Sequence, residues 1–334
     1  MPRIPFETAV EQLEKVLLSR RMDSESAGKI AYEMARSSLE GTYSHGINRF
    51  PRLIGNIDEG IVLVDARPEK ISGFGAIENY DGGQGPGIIN ASLCMDRAMA
   101  LAREHGIGLV ALRNTNHWMR AATYALQACA GGMAAICFSN TMPNMPTWGS
   151  RDARLGNNPL TLGFPRRGGD ILVDMAMSQF SYGALEVARL KGAQMPAPAG
   201  FDPEGNLTRD PSLVILSRRI LPAGYWKGAA LSFVLDIFAA CLALGKTTAA
   251  IGRLQGDEHG ISQVFIAIDY RRIAPEGATQ AILDDAVDNV LASIADGSGE
   301  RISYPGQRRV KVTEENTAHG MPVDDLVWEK ILGL

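Results

Sequence analysis

His45 and Arg49 stand four positions apart in the run Ser44-His45-Gly46-Ile47-Asn48-Arg49. On a helical turn that spacing projects both side chains from one face. A planar guanidinium can grip a carboxylate through two parallel hydrogen bonds. An imidazole titrates near neutrality and can hand a proton to an oxygen that is gaining charge. The pair therefore suits a 2-oxo acid, with Arg49 on the carboxylate and His45 on the adjoining carbonyl oxygen. The plainer alternative is a solvated histidine beside an ordinary surface arginine.

Other polar clusters admit two readings each. Asn114-Thr115-Asn116-His117-Trp118 follows an apolar run, at the strand end where α/β sheets usually bind ligands. It is also a plausible turn in which asparagines bond nearby backbone. Asp174 ends an apolar strand and suits a ribose hydroxyl or a helix cap. Lys227 opens an apolar helix, where it meets a phosphate at the positive helix end or simply faces solvent. Asp236 lies further along that helix, between Leu235 and Ile237. It reads as a buried partner of a cation or as a satisfied structural acid. Tyr304-Pro305-Gly306-Gln307-Arg308-Arg309 clusters cations in a turn, for a phosphate or for solvent.

Several chemistries lack their pattern. Asp81-Gly82-Gly83-Gln84-Gly85-Pro86-Gly87 precedes a helical run but has neither the GxGxxG spacing nor a following GKS or GKT, so it is not a dinucleotide fingerprint. The 5 histidines form no HxH or HxxxH pair and share no ligand spacing with cysteine, so no metal is expected. There is no GxSxG nucleophile elbow.

The elements that must position these residues are legible in outline. Apolar residues at helical spacing (Ala9, Leu13, Val16, Leu17, then Ala27, Ile30, Ala31, Met34) predict a small N-terminal helical bundle over residues 7–40, with Ser24 or Ser26 starting its second helix. Strands are expected at 61–64, 69–78, 106–112, 133–139, 160–164, 171–175 and 263–269. Helices are expected at 88–104, 118–130, 178–192, 227–244 and 277–295. Residues 140–160 read as a long ordered loop and 193–212 as a polar excursion. The alternation argues for an α/β sandwich around a largely buried sheet.

The 334 residues, 46% hydrophobic and 21% charged, have an ordinary globular balance with room for two domains. With 33 basic against 37 acidic side chains and no basic stripe, no nucleic acid is expected as partner. No uninterrupted apolar run reaches the length of about 18 residues that a span requires, and the N-terminus lacks an apolar signal core. No membrane partner is expected. Cys94, Cys129, Cys137 and Cys241 sit in apolar runs without a pairing pattern, and read as reduced core thiols.

Taken together, Tyr43-Ser44-His45-Gly46-Ile47-Asn48-Arg49-Phe50, Arg113-Asn114-Thr115-Asn116-His117-Trp118, Gly156-Asn157-Asn158-Pro159-Leu160, Lys227-Gly228 and Pro305-Gly306 resemble the type-2 malate/L-lactate dehydrogenase family nearly end to end. That family reduces 2-oxo acids with NAD(P) on a fold that is not a Rossmann fold. Trp118 stands where other branches usually carry Gly, Ser181-Tyr182-Gly183 where they carry Arg-Gly-Lys, and Trp226 where they carry His. Those departures resemble the diketogulonate branch and speak against plain malate or lactate.

The resemblance implies His45 as proton donor, with Ser44, Arg49 and His117 binding substrate. It implies cofactor contacts from Asp170, Ile171, Leu172, Val173, Asp174, Met175 and Ala176, from Trp226 and Lys227, and from Gly306, Gln307 and Arg308. NADH is the expected cofactor, NADPH the alternative. The family pattern is a cytoplasmic homodimer with its active site near the subunit interface. The expected α/β architecture is a non-Rossmann cofactor domain over 121–300, with a mixed sheet flanked by helices. A discontinuous substrate domain with the N-terminal helical bundle would take 1–120, and the segment 301–334 would return to it. Malate, sulfolactate and ureidoglycolate are the alternative substrates. A non-catalytic small-molecule binding protein on the same fold is the alternative from another class.

Overall fold

A computed structural model describes residues 2–275, 277–299 and 301–334. Met1, Glu276 and Glu300, the last at an expected domain boundary, lie outside the described residues. The chain opens with β1 (Arg3–Ile4), α1 (Phe6–Ser19) and α2 (Ser24–Leu39). The apolar positions expected to face one another do so: Leu13, Leu17, Ile30 and Met34 share a buried cluster. Neither Ser24 nor Ser26 caps α2. Asp23 does, its carboxylate accepting the Ser26 N–H at 2.9 Å, because a side chain one residue outside the helix is placed to reach its free amides.

After α2 the chain makes two short 3₁₀ turns, Tyr43–His45 and Ile47–Arg49, and then α3 (Phe50–Asp58). Gly46 separates the turns; a Cβ there would lie 2.2 Å from Ser38 Oγ and 2.8 Å from the Met34 carbonyl oxygen. Only glycine lets this segment press so closely on α2.

Residues 61–64 do not form the expected strand. Ile61 and Val62 instead both donate to the Asn56 carbonyl and turn the chain off the end of α3. The strand expected at 69–78 is a hairpin, β2 (Glu69–Phe74) and β3 (Ile77–Asp81), turning at Gly75 with φ +55°. Then come α4 (Gly87–His105), β4 (Ile107–Thr115), α5 (Ala122–Ala130) and β5 (Ala134–Ser139). The loop 140–160 contains a small hairpin of β6 (Met145–Pro146) and β7 (Ala153–Leu155), and leads to β8 (Leu160–Phe164) and β9 (Ile171–Met175). The helix expected at 178–192 is shorter, α6 (Tyr182–Leu190). The polar excursion holds the hairpin of β10 (Gly200–Phe201) and β11 (Leu207–Thr208), and runs into an unexpected helix, α7 (Pro211–Ser217). The rest is α8 (Trp226–Ala243), α9 (Thr248–Ile251), β12 (Ile261–Ile268), α10 (Ala278–Leu291), α11 (Gln307–His319), β13 (Met321–Pro322) and α12 (Asp325–Leu332).

The sheet is mixed, in the order β2-β3-β4-β12-β5-β8-β9. Only β3 and β4 run parallel; the other neighbours are antiparallel. This is not the arrangement of a parallel dinucleotide-binding sheet. Alternation along the central strand β12 serves both faces. Phe265 and Ala267 pack with α4 and α5, while Val264 packs with the inner side of α8. At the other end of the molecule β1 pairs with β13, which brings Met321, Val323 and Ile331 into the N-terminal helical cluster. Of the four thiols, Cys94, Cys129 and Cys137 are buried as expected, but Cys241 is exposed on the outer side of α8.

Candidate active site

His45, Arg49 and His117 come together, though not through a shared helix face. His45 ends the first 3₁₀ turn and Arg49 the second, so the break at Gly46 sets their relation. Ser44 Oγ lies 2.9 Å from His45 Nδ1, which leaves Nε2 for a ligand. The His45 and His117 rings stack with centroids 5.6 Å apart and planes 21° apart. Beside them Arg49, Arg52, His117, Met119, Asp257 and Glu258 line a small pocket.

The backbone after β4 decides what His117 can do. Met119 has φ +61°, and its N–H donates to His117 Nδ1 at 2.9 Å. A nitrogen that accepts a hydrogen bond carries no proton, so the neutral ring holds its proton on Nε2. Trp118 anchors the turn: it is buried and stacks on Tyr124 at 5.5 Å, with Phe265 at its edge. Its carbonyl accepts the Tyr124 hydroxyl at 2.5 Å. The asparagines of this motif are structural. Asn116 donates to the Gln84 and Gly85 carbonyls at 2.8 and 3.1 Å, while Asn114 bonds Asp81 and Lys246. The glycine run they hold passes tightly by the site: a Cβ on Gly87 would sit 2.2 Å from the His117 carbonyl oxygen.

Charge in this pocket balances in number, Arg49 and Arg52 against Asp257 and Glu258, but not in pairing. Arg52 pairs with Asp257, which also accepts from Asn56 at 3.2 Å. Among the described residues no carboxylate pairs with Arg49. Burial, and then the charge of Arg52, lower the Arg49 pKa to about 10. His45 is held down to about 4 by burial first, then by Arg49 and Arg120. His117 is driven well below its ordinary value by burial and by Arg49, His45 and Arg52. Near neutral pH both imidazoles are therefore uncharged, and Arg49 presents a cation lacking its anion. Such a group favours a carboxylate ligand, because bringing in the anion removes the cost of the uncompensated charge.

A second, larger cleft of about 300 Å³ opens beside the 3₁₀ turns. Of the expected cofactor residues, Leu172, Asp174, Gly306 and Arg308 line it, together with Thr42 and Arg120. Its wall is braced by Glu40, which is buried and binds Arg120 at 2.6 Å, Arg36 at 2.9 Å and Arg309 at 3.5 Å. Nε of Arg120 and Nε of Arg309 are buried without a hydrogen-bond partner. Gly306 has φ +99°, and a Cβ there would strike the Asp170 carbonyl oxygen at 2.6 Å. Orphaned cationic donors, an acid and a glycine at a helix start fit the phosphate and ribose of a nucleotide.

The remaining expected cofactor residues do not line this cleft. Asp170 binds Arg309 at 3.5 Å. Ile171, Val173 and Met175 alternate to the opposite side of β9 from Leu172 and Asp174. Ala176 follows the strand, half-buried. Gln307 folds back to accept the Tyr304 N–H at 3.3 Å. Trp226 and Lys227 are exposed at the start of α8. Asp174 also caps a helix, though not the one that follows it: its Oδ2 accepts the Ala122 N–H of α5 at 2.9 Å. Among the described residues Asp236 pairs with no cation. It accepts from Asn140 at 2.9 Å and from the Thr248 N–H at 2.8 Å, as a satisfied structural acid.

A family model described as malate/L-lactate dehydrogenase matches residues 4–332. The chain belongs to the malate/L-lactate dehydrogenase family. It is accordingly an oxidoreductase, which sets aside the non-catalytic alternative. Proteins named 2,3-diketo-L-gulonate reductase, from Citrobacter koseri and from Escherichia coli K12, are each 44% identical over 332 residues, covering 99% of this chain and 100% of theirs. Among solved structures, the malate dehydrogenase of Entamoeba histolytica shares the fold with a TM-score of 0.94 at 23% identity, over 99% of this chain and 96% of its own. A putative malate/lactate dehydrogenase from E. coli gives 0.93 at 27% identity, over 100% and 94%.

In this member of the malate/L-lactate dehydrogenase family, sequence reasoning missed most of each wall. Arg52, Asp257 and Glu258 line the small pocket, and Glu40, Thr42 and Arg120 the larger cleft. The one available signal was charge in apolar company: Arg120 stands between Met119 and Ala121-Ala122, whereas Glu40 follows an ordinary amphipathic helix and gives none. Glu258 carries no such signal. It is half-buried, and its Oε2 accepts the Met142 N–H at 2.8 Å. Burial raises its pKa, countered by that hydrogen bond and by Arg49. Among the described residues no group of three or more His, Cys, Asp or Glu side chains is placed to hold a metal ion.

Proposed function

We propose that the chain reduces the 2-oxo group of 2,3-diketo-L-gulonate to give 3-dehydro-L-gulonate, using NADH. The observation that carries this reading is Arg49, a guanidinium with no ion-pair partner among the described residues, beside two neutral imidazoles. The 44% identity to reductases named for that substrate supports the choice of acid. When bound, the nicotinamide supplies the hydride. Arg49 takes the substrate carboxylate, which orients the 2-oxo carbonyl. His117 donates its Nε2 proton as a hydrogen bond. The enclosed part of the small pocket holds about 10 Å³, the room of one water molecule. The acid therefore enters with movement of the arginine side chains.

Charge compensation then loads the acid catalyst. Arg49 helps hold the His45 pKa down; a carboxylate on Arg49 offsets that influence. The His45 pKa rises, and the ring takes up the proton it delivers to the carbonyl oxygen as negative charge develops there. Ser44 Oγ, 2.9 Å from Nδ1, orients the ring.

The larger cleft is the proposed cofactor site. A carboxylate at Asp174 disfavours the extra phosphate of NADPH, which supports NADH. A second copy of the chain is the proposed partner, seated on the outer face of α8. Leu231, Phe233, Val234, Ile237 and Phe238 are all exposed there. The test is NADH oxidation, followed at the nicotinamide absorbance, with 2,3-diketo-L-gulonate, pyruvate, oxaloacetate, sulfopyruvate and the 2-oxo acid corresponding to ureidoglycolate. The diketo acid should show the highest kcat/KM. A higher value for another acid moves the assignment to that substrate.

A further inference from the structure

We infer that Glu258 is the specificity-determining residue of the small pocket, and that its carboxylate turns away 2-oxo acids carrying a second anionic group while accepting hydrogen bonds from a hydroxylated tail. The inference rests on the reading of Arg49 and His45 as the 2-oxo acid site. Two acids line this pocket, and they differ in what they have left to offer. Asp257 is spent: Arg52 and Asn56 both donate to it, and Oδ1 also accepts the Glu258 N–H at 2.8 Å. Glu258 has one oxygen engaged, by the Met142 N–H. Among the described residues it has no hydrogen bond to its other oxygen and no cation within ion-pair distance. Its neighbour across the pocket is Arg49, equally unpaired.

The pocket thus holds one cation and one anion that do not meet. A carboxylate bound by Arg49 satisfies the first. Arg49 and Glu258 line the same pocket, so the rest of a ligand held by Arg49 comes within charge range of Glu258. A tail ending in carboxylate or sulfonate meets like charge in a site partly withdrawn from water, where repulsion is weakly screened. A tail of hydroxyl groups meets a hydrogen-bond acceptor, and a charged acceptor makes the stronger bond. A methyl tail is nearly indifferent. Specificity here is a difference between ligands, and a repulsive element contributes to it as much as an attractive one.

The test compares wild type, Glu258→Gln and Glu258→Ala, each at saturating NADH, with pyruvate, oxaloacetate and 2,3-diketo-L-gulonate. Glutamine keeps an oxygen for the Met142 N–H, and the thermal unfolding midpoint reports that each variant is folded. In Glu258→Gln the ratio of kcat/KM for oxaloacetate over pyruvate should rise by about tenfold or more. In Glu258→Ala the diketo acid should lose about tenfold relative to pyruvate, as its hydroxyl groups lose their acceptor. An oxaloacetate-to-pyruvate ratio unchanged in both variants overturns the role of Glu258 and leaves the 2-oxo acid site standing. Equal loss on all three acids in both variants also overturns it, by making Glu258 part of the general machinery. A wild-type protein that reduces none of the three overturns the site reading itself, and this inference with it.

Discussion

At the scale of single residues, His45 is poised rather than charged. A general acid must be protonated before it acts, so in the proposed mechanism reduction should slow as pH rises through the pKa of His45. Measured as kcat/KM for the 2-oxo acid, that pKa belongs to the protein before the acid binds; measured as kcat, to the complex. The pKa before binding is about 4 in this structure, and the negative charge of a carboxylate on Arg49 raises it. The descending limb of kcat should therefore lie at higher pH than that of kcat/KM, by about a unit or more. Coincident limbs, or the reverse order, would remove Arg49 from the substrate shell. His45→Ala should cost about 10²–10⁴-fold in kcat, the usual worth of a positioned proton donor. Near-wild-type turnover at saturating NADH would reassign the proton donor.

At the scale of elements, the two 3₁₀ turns that carry His45 and Arg49 are clamped between α2 and the cleft wall. Glu40 is the clamp, because it closes α2 and holds arginines from three separate stretches of chain. Glu40→Gln should destabilise the fold by about 3–5 kcal/mol, since it leaves the buried Arg120 guanidinium without its anion, while Arg36 keeps Glu33 and Arg309 keeps Asp170. Urea unfolding measures this directly, and a loss below about 1 kcal/mol would mean the network behaves like a surface ion pair. The expected helical face for His45 and Arg49 failed at the same scale. Gly46 admits a break that helical spacing arguments ignore, and the contact with Ser38 and Met34 exploits it.

At the scale of the whole molecule, α8 is apolar all round. It is the described helix long and apolar enough to cross a membrane by length and composition. Its inner face carries Leu235, Ala239 and Ala243 against the sheet, with Asp236 tied to Asn140 and Thr248. A helix without a polar face is normally covered on every side, and an apolar patch of this kind marks an association surface. Two-fold pairing of identical copies is the commonest way to cover one. Phe238→Asp should convert a dimer to monomer in sedimentation equilibrium. A wild-type monomer at micromolar concentration would instead leave the patch for another partner.

The local ingredients were written in the chain itself: the apolar spacing of α1, α2 and α4, the apolar strands β4, β5 and β12, and the residue types at 45, 49 and 117. Near-neighbour chemistry determines these, so a one-dimensional reading reaches them. Glu40, Arg120 and Glu258 escaped it, as did the division of residues 170–176 between two sides of β9 and the exposure of Cys241. Burial, an absent counter-ion and the charge felt by an imidazole are set by groups distant along the chain. They acquire values only once folding has brought 40 to 120, 49 to 258 and 45 to 117.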